Sequence, residues 1–298
     1  MLVHRGIDCM KKFLAFFFAA FLLLSPYLHS LDWPTARGVM RKNFGWNDEG
    51  MPHLGITFDA DGELKAAGDG EIFYRRGERD TASRLPSPLG SWTAVDHRDG
   101  IVSIYARYDG SAAQPLQGQV ETGQVLAETG ISGWSSRSGI YFQLFDRRER
   151  RWINPSLIIT PPEDTRQPEI MSVRLKDENE NFINPFQTRN LTQGRYTVVV
   201  HAIDTLRLAS ESPLAPYRII CSLNGSEAGV LNFETYSTRG GQLMIYRNGL
   251  IPVRQVYSSV PAYEIANVWF SRGQTSLEII AMDMAGNIRS VVYRLIVE

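Results

Sequence analysis

Length, composition and charge already exclude several classes of protein. The chain has 298 residues and carries 31 Lys plus Arg against 32 Asp plus Glu, a balance that argues against a general nucleic-acid binder. Hydrophobic residues make up 43%, enough for folded cores, and the two cysteines cannot form a Cys-rich zinc site or a disulfide framework. A chain of this length predicts two domains.

Residues 1–30 have the pattern of a secretory signal peptide. Lys11 and Lys12 precede an uninterrupted apolar run from Phe13 to Leu24, and Ser30 is a small residue suited to cleavage. The alternative is a membrane anchor, but a spanning helix needs about 20 apolar residues. We therefore predict an exported protein of the periplasm or cell envelope, without a transmembrane helix once the signal is removed.

The remainder of the chain predicts an all-β protein. Helical periodicity is scarce, and short runs of β-branched and aromatic residues recur between turn-forming residues. The predicted strands include Trp92–Val95, Ile101–Tyr105, Gly139–Phe145, Tyr196–Ala202, Arg218–Leu223, Leu243–Tyr246, Leu277–Met282 and Val291–Val297.

Turn and linker signals divide this β-rich region. Residues 69–70 (DG) and 122–123 (TG) predict hairpin turns, and the charged run 146–151 predicts a solvated hairpin turn. A proline-rich stretch predicts a linker at 163–168, which leaves domains at 31–162 and 169–298.

Six short motifs follow one another in the first predicted domain. They are 53–57 (HLGIT), 65–72 (KAAGDGEI), 97–107 (HRDGIVSIYAR), 120–130 (VETGQVLAETG), 138–144 (SGIYFQL) and 153–157 (INPSL). In order and spacing, this set resembles the lysostaphin-type (LytM-like) zinc endopeptidases that cut peptidoglycan cross-bridges. The resemblance implies an antiparallel β domain with a peptidase scaffold.

The same resemblance implies that most of the zinc site is missing. The family binds zinc through the histidine and aspartate of an H-x-G-x-D motif and the second histidine of an H-x-H motif. His53 matches the first ligand, whereas Thr57 and Gln143 stand at the other two positions. Tyr141 and Arg107 stand where two assisting histidines are expected. Hydroxyl and amide groups are poor zinc ligands, and without bound zinc no water is activated for hydrolysis.

We therefore expect a degenerate domain with no catalytic residue and no cofactor. Its replaced residues either fill the former ligand pocket or line a groove that binds glycan or peptide. The candidate groove residues are His53, Thr57, Arg107, Tyr141 and Gln143. The alternative is an active zinc metalloendopeptidase with a rearranged site, in which Asp59 or Asp61 supplies a shifted carboxylate ligand.

The second predicted domain shows no catalytic motif. Residues 193–204 and 273–287 resemble bacterial immunoglobulin-like or fibronectin-type domains, which predicts a β-sandwich. Asp204 and Asp283 end two predicted strands, as turn residues or as calcium ligands.

These features predict a non-catalytic cell-envelope protein. Its expected partner is peptidoglycan or a cell-wall hydrolase that it regulates, with no nucleic acid. The alternatives are the rearranged zinc endopeptidase and a structural or adhesive envelope protein.

Overall fold

The computed structural model describes residues 31–36, 38–77, 86–110, 118–206 and 212–298. The predicted signal peptide, residues 1–30, lies outside these ranges. Residues 31–298 belong to one compact unit. Its described part contains two short 3-10 helices, Pro155–Leu157 and Val253–Gln255, and no helix long and apolar enough to cross a membrane.

Strands account for most of the described residues, so the predicted all-β class is confirmed. The first part of the chain contains β1 (Gly38–Lys42), β2 (Asn47–Asp48), β3 (Met51–Pro52), β4 (Ile56–Ala60), β5 (Glu63–Lys65), β6 (Gly70–Arg76), β7 (Ser91–Asp96), β8 (Ile101–Tyr108), β9 (Gly118–Val120), β10 (Val125–Glu128), β11 (Gly139–Asp146) and β12 (Arg151–Ile153).

The second part continues with eleven further strands. They are β13 (Glu169–Lys176), β14 (Phe182–Ile183), β15 (Asn190–Leu191), β16 (Gly194–Ile203), β17 (Arg218–Leu223), β18 (Ser226–Arg239), β19 (Gln242–Arg247), β20 (Leu250–Pro252), β21 (Tyr263–Phe270), β22 (Gly273–Met282) and β23 (Ile288–Val297). Each strand named in the sequence prediction is present, in several cases with longer ends.

The first part of the chain is built around β11, which pairs antiparallel with β4 and β8. Alternate side chains of β4, namely Ile56, Phe58 and Ala60, enter the core, while Thr57 and Asp59 lie on the opposite face. Almost every residue of β11 is buried, because neighbouring strands cover both of its edges and side chains cover both of its faces. This explains the largely apolar character of the motif at 138–144.

Two of the three predicted hairpin turns are wrong. Strand β6 pairs with β9, and β5 pairs with β10, so the turns at 69–70 and 122–123 connect strands of different sheets. The Asp69 carboxylate accepts hydrogen bonds from the Thr122 N–H and hydroxyl, at 2.7 and 2.8 Å, which joins the two turns. The third prediction is confirmed, since β11 and β12 form a hairpin with an exposed turn.

Residues from Glu169 onward form two sheets that face each other across one core. One sheet has the order β14-β13-β16-β21, and the other contains β15-β23-β22-β17-β18. Inward-facing side chains from both sheets meet in this core, among them Val198, Val200, Ile219, Cys221, Ile279 and Leu295. The arrangement is a two-layer β-sandwich, and Cys221 is the buried strand thiol that its apolar surroundings suggest.

The two parts of the chain are interlocked. Strand β12 pairs with β18 of the sandwich, so one sheet runs through both parts. Phe44, from the first part, is buried in the sandwich core, whereas Leu214, from the second, is buried in the first core. Each core therefore depends on a side chain from the other part of the chain.

Candidate functional site

The predicted groove residues lie where β4, β11 and β8 run side by side. Tyr141 of β11 stands opposite Thr57 of β4 on one side and Ala106 of β8 on the other. Because alternate strand residues share a face, Thr57, Tyr141 and Gln143 all point away from the hydrophobic core of this part. Strand pairing thus brings together residues that are far apart in sequence.

His53 enters the site from the segment that precedes β4. Its backbone is fixed by two hydrogen bonds, from its N–H to the Trp46 carbonyl at 2.9 Å and from the Gly45 N–H to its own carbonyl at 2.8 Å. The His53 Nε2 atom lies 3.0 Å from the Thr57 hydroxyl oxygen, within hydrogen-bonding distance. One imidazole nitrogen of His53 is therefore engaged by Thr57, the residue at the position where the resemblance implies an aspartate.

Tyr141 and Arg107 stack beside this pair. The Tyr141 ring meets the His53 ring edge-on, with 5.3 Å between centroids, and the Arg107 guanidinium carbon lies 5.4 Å from the Tyr141 centroid. A Cβ atom on Gly55 would come within 2.8 Å of the Tyr141 ring and 2.4 Å of the Phe142 carbonyl oxygen. Glycine at position 55 therefore allows the tyrosine ring to lie across the site.

Burial sets the protonation of these groups. Burial, followed by the charge of Lys42, lowers the pKa of His53 to about 3, so the imidazole is neutral at neutral pH. Burial also raises the pKa of Tyr141 well above its usual value and lowers the pKa of Arg107. The site at neutral pH thus contains a neutral histidine, a neutral tyrosine and one guanidinium.

Arg107 forms no side-chain hydrogen bond and no ion pair with the described residues. Its buried Nε–H donates no hydrogen bond, although the residue as a whole is half-buried. The Tyr141 ring lies beside the guanidinium, and the Asp48 carboxylate favours its charged form through a longer-range interaction. The Arg107 backbone N–H donates to the Leu89 carbonyl at 2.9 Å and fixes the start of the side chain. A partly desolvated guanidinium with an unused N–H group is costly, and an anionic ligand that accepts from it would relieve that cost.

The residues present do not fit a zinc ion. A catalytic zinc needs three nitrogen, oxygen or sulfur ligands, normally His, Cys, Asp or Glu. In the described ranges, no group of three such residues contains His53. Gln143 is buried on the same strand face, yet no hydrogen bond joins it to His53 or Thr57 in the described part of the chain.

The two carboxylates considered as replacement ligands are placed differently. Asp59 forms ion pairs with Arg41 at 3.1 Å and Arg137 at 3.5 Å, and Asp61 is exposed on the following turn. The carboxylate of Asp59 is therefore directed to two arginines, which compete with any cation.

His97 is held by hydrogen-bonding partners at both of its ring nitrogens. Its Nδ1 lies 2.7 Å from the Asp69 carbonyl oxygen, and its Nε2 lies 2.8 Å from the Ser103 hydroxyl. Ser103 is in turn hydrogen-bonded to the Tyr105 hydroxyl. Both ring nitrogens are used, so His97 supports the turn at 69–70.

The segment that contains the site matches a known protein family. Residues 51–155 match the model of peptidase family M23. The chain carries a peptidase family M23 domain. The predicted LytM-like resemblance is confirmed for this part of the chain, and residues 167–298 match a second family model that has no description.

Solved structures of M23 proteins are similar to the M23 domain. The chain is 20% identical to a mutant catalytic domain of the prophage-encoded M23 protein EnpA from Enterococcus faecalis, over 43% of this chain and 95% of that one, with a TM-score of 0.35. It is 21% identical to the catalytic domain of lysostaphin from Staphylococcus simulans, over 37% and 81%, with a TM-score of 0.31. A chain of the SpoIIQ–SpoIIIAH pore-forming complex is 18% identical, over 44% and 92%, with a TM-score of 0.35. No curated protein matches the chain.

Sequence reasoning missed a pair of charged residues beside the site. Lys42 Nζ lies 2.8 Å from both Asp48 carboxylate oxygens, and the charges of both residues act on the His53 imidazole. They come from the end of β1 and from β2, and no short motif links either residue to His53. Only the folded backbone brings them near the histidine.

Proposed function

We propose that the protein is an exported, non-hydrolytic M23-scaffold protein that binds peptidoglycan through the surface around Arg107. The single observation that supports this proposal best is the half-buried Arg107 guanidinium, whose buried Nε–H donates no hydrogen bond and which forms no close ion pair with the described residues. Peptidoglycan stem peptides carry free carboxylates, and arginine pairs with carboxylates through two parallel hydrogen bonds.

An exposed aromatic side chain near Arg107 adds to this argument. Trp134 is 76% exposed, and its backbone N–H donates to the Pro88 carbonyl at 3.1 Å. The next residue, Leu89, accepts a hydrogen bond from the backbone N–H of Arg107. The backbones of Trp134 and Arg107 are thus held by adjacent residues, and an exposed indole in this region suits a ligand that combines sugar faces with carboxylates. Export is proposed from the signal-like pattern of residues 1–30.

Sedimentation with purified peptidoglycan tests the binding proposal. We expect the wild-type protein to sediment with peptidoglycan. Arg107→Ala should bind at least about 10-fold more weakly, because a charge-assisted hydrogen bond contributes about 1.5–3 kcal/mol. Trp134→Ala should also weaken binding, since it removes the aromatic surface.

Two matched variants separate a site effect from a general effect of charge or surface area. Arg254→Ala removes another arginine from the exposed surface, and Trp269→Ala removes another exposed indole from the sandwich. Both should bind like the wild type. Equal binding by wild type and Arg107→Ala would reject the proposed surface, and peptidoglycan-independent activation of a wall hydrolase would favour the regulatory role instead.

Metal analysis tests the non-hydrolytic part of the proposal separately. After zinc loading and removal of excess metal, we expect much less than one zinc per chain and no release of soluble fragments from peptidoglycan. One tightly bound zinc per chain together with peptidoglycan cleavage would establish the rearranged peptidase and overturn this part of the proposal.

A further inference from the structure

Three aspartates meet where the M23 domain, the linker and the sandwich adjoin. Asp204 directly follows β16, Asp283 directly follows β22, and Asp164 lies in the predicted linker. One carboxylate oxygen from each lies within 4.8 Å of the other two. The site is distinct from the His53 region and from the Arg107 surface.

The cluster concentrates negative charge away from solvent. Asp204 is 7% exposed and Asp283 is 2% exposed, while Asp164 is half-buried. In the described ranges no Lys, Arg or His side chain forms an ion pair with any of the three. The polypeptide described here does not balance this charge.

One carboxylate oxygen in the cluster lacks a hydrogen-bond donor. The Oδ2 atom of Asp164 is enclosed and accepts no hydrogen bond, while its Oδ1 accepts from the Arg166 N–H at 3.0 Å. Asp204 Oδ1 accepts from the Thr205 N–H at 2.9 Å. Asp283 is oriented by Asn287, which donates to both of its carboxylate oxygens at 2.8 and 2.7 Å. Nearly all buried polar atoms in proteins have a partner, so the free Asp164 oxygen indicates a missing ligand.

A cavity of about 40 Å³ lies against the three carboxylates. Its walls also include Asn43 and Asn154 from the M23 domain and Tyr217 from the sandwich. One enclosed water needs roughly 10–15 Å³, so the cavity has room for an ion with one or two waters.

We propose that Asp164, Asp204 and Asp283 form a calcium-binding site. The donor set consists of oxygen alone, which Ca²⁺ prefers and Zn²⁺ does not. Calcium binds oxygen ligands at about 2.3–2.6 Å, so one ion can bridge oxygens separated by up to about twice that length without rearrangement. The bound ion neutralises the cluster and joins the linker to the ends of β16 and β22, which fixes the sandwich against the M23 domain.

Calcium titration of the purified protein, before and after EDTA treatment, tests the proposal. We expect one saturable Ca²⁺ per chain by isothermal titration calorimetry. We also expect the thermal midpoint to rise by roughly 5 °C at a hundredfold excess of Ca²⁺ over the dissociation constant. The variants Asp204→Asn and Asp164→Asn should lose both effects.

The sequence offers a matched control in a second turn of the same kind. Asp177 accepts hydrogen bonds from the Asn181 N–H and side chain, as Asp283 does from Asn287, but Asp177 is not in the cluster. Asp177→Asn should retain the calcium effect. In EDTA, Asp204→Asn should unfold at a higher temperature than the wild type, because the substitution removes repulsion between carboxylates.

Three outcomes would overturn the proposal. The wild type shows no saturable Ca²⁺ binding, or Asp204→Asn and Asp164→Asn bind Ca²⁺ like the wild type. The third outcome is that Ca²⁺ has no effect while Arg207→Gln, three residues after Asp204 and outside the described residues, destabilises the protein. That result would identify a guanidinium rather than a metal as the counter-charge.

Discussion

Thr57 and Gln143 occupy two positions where the LytM-like resemblance implies zinc ligands, and they lie on adjoining strands. Thr57 contacts the His53 imidazole directly, while Gln143 lies two residues beyond Tyr141 on the same strand face. The two positions therefore share one face of the sheet, and their side chains differ from the ligands that the resemblance implies. Two substitutions should be enough to restore three donors of the right type.

We predict that the double variant Thr57→Asp with Gln143→His binds about one zinc per chain. Each single variant should bind far less, because two protein ligands hold zinc weakly. Metal content after gel filtration, measured by atomic emission, gives the answer. Equal zinc contents in the double variant and the wild type would show that these two positions are not equivalent to the family's ligands.

His53 also predicts a pH dependence of stability. Its pKa is about 3 in the folded protein and about 6.5 in an unfolded chain, so only the unfolded state takes up a proton between these values. Stability is therefore unaffected by this group above pH 6.5 and falls as the pH drops below it, by about 2 kcal/mol at pH 5.

His53→Gln should remove this contribution. The difference in unfolding free energy between pH 7.5 and pH 5, measured with urea, should shrink by about 2 kcal/mol relative to the wild type. His201→Gln is the control, because His201 is only half-buried. Burial, followed by the charge of Arg174, lowers the pKa of His201 in the same direction. If His53→Gln loses as much stability as the wild type on acidification, the imidazole is not held neutral by burial.

At the scale of a single strand, Arg107 lies at an irregularity of β8 that also orients its guanidinium. The residue is the extra one in a bulge between β7 and β8, where Ser91 pairs with Tyr108 but Trp92 pairs with Ala106. It has a positive φ of 69°, a conformation that favours glycine. An arginine at this position costs about 1–2 kcal/mol of backbone strain, and the bulge turns its guanidinium over Tyr141.

Arg107→Gly should therefore separate stability from binding. We expect the unfolding free energy to stay the same or rise by about 1 kcal/mol, while peptidoglycan binding is lost. Arg150→Gly is a matched control, since Arg150 also has a positive φ, 55°, in the exposed turn between β11 and β12. It should gain stability to a similar degree and leave binding unchanged. A stable Arg107→Gly protein that still binds would mean that the guanidinium is not used.

The elements also show what could be predicted from sequence. Strands such as β8, β11 and β17 were predicted because alternation and apolar runs are local properties of the chain. The turns at 69–70 and 122–123 were misassigned because strand pairing depends on distant partners, β9 for β6 and β10 for β5. Likewise, Asp204 and Asp283 were recognised at strand ends, but nothing in the local sequence brings Asp164 to them. The motif order predicted the residues of the His53 site, yet not the charges of Lys42 and Asp48 beside it.

At the scale of the whole molecule, the contacts between the two parts are as specific as those within them. Asn47 of the M23 domain is 2% exposed and donates to the Ser259 and Ala262 carbonyls of the sandwich, both at 3.0 Å. Nearby, the buried hydroxyl of Tyr257 donates to the Gly45 carbonyl at 2.8 Å. Buried hydrogen bonds of this type tie the two cores into one cooperative unit.

We predict a single thermal unfolding transition for the protein. Asn47→Ala should lower its midpoint by roughly 4–8 °C, because two buried carbonyls lose their donor at a cost of about 2–4 kcal/mol. Asn267→Ala, which breaks an exposed hydrogen bond to Thr197 within the sandwich, should have little effect. Differential scanning calorimetry measures both the number of transitions and the midpoints of the variants. Two separated transitions would show that the two parts unfold independently.

The pairing of β12 with β18 limits how this protein can evolve. A recombination event that moved the M23 domain alone to another gene would leave the outer edge of β12 without its hydrogen-bonding partner, a state that promotes aggregation. The same event would empty the space filled by Leu214 and expose Phe44 to water. The two parts are therefore expected to be inherited together, and a working M23 domain taken from this chain would need a redesigned edge.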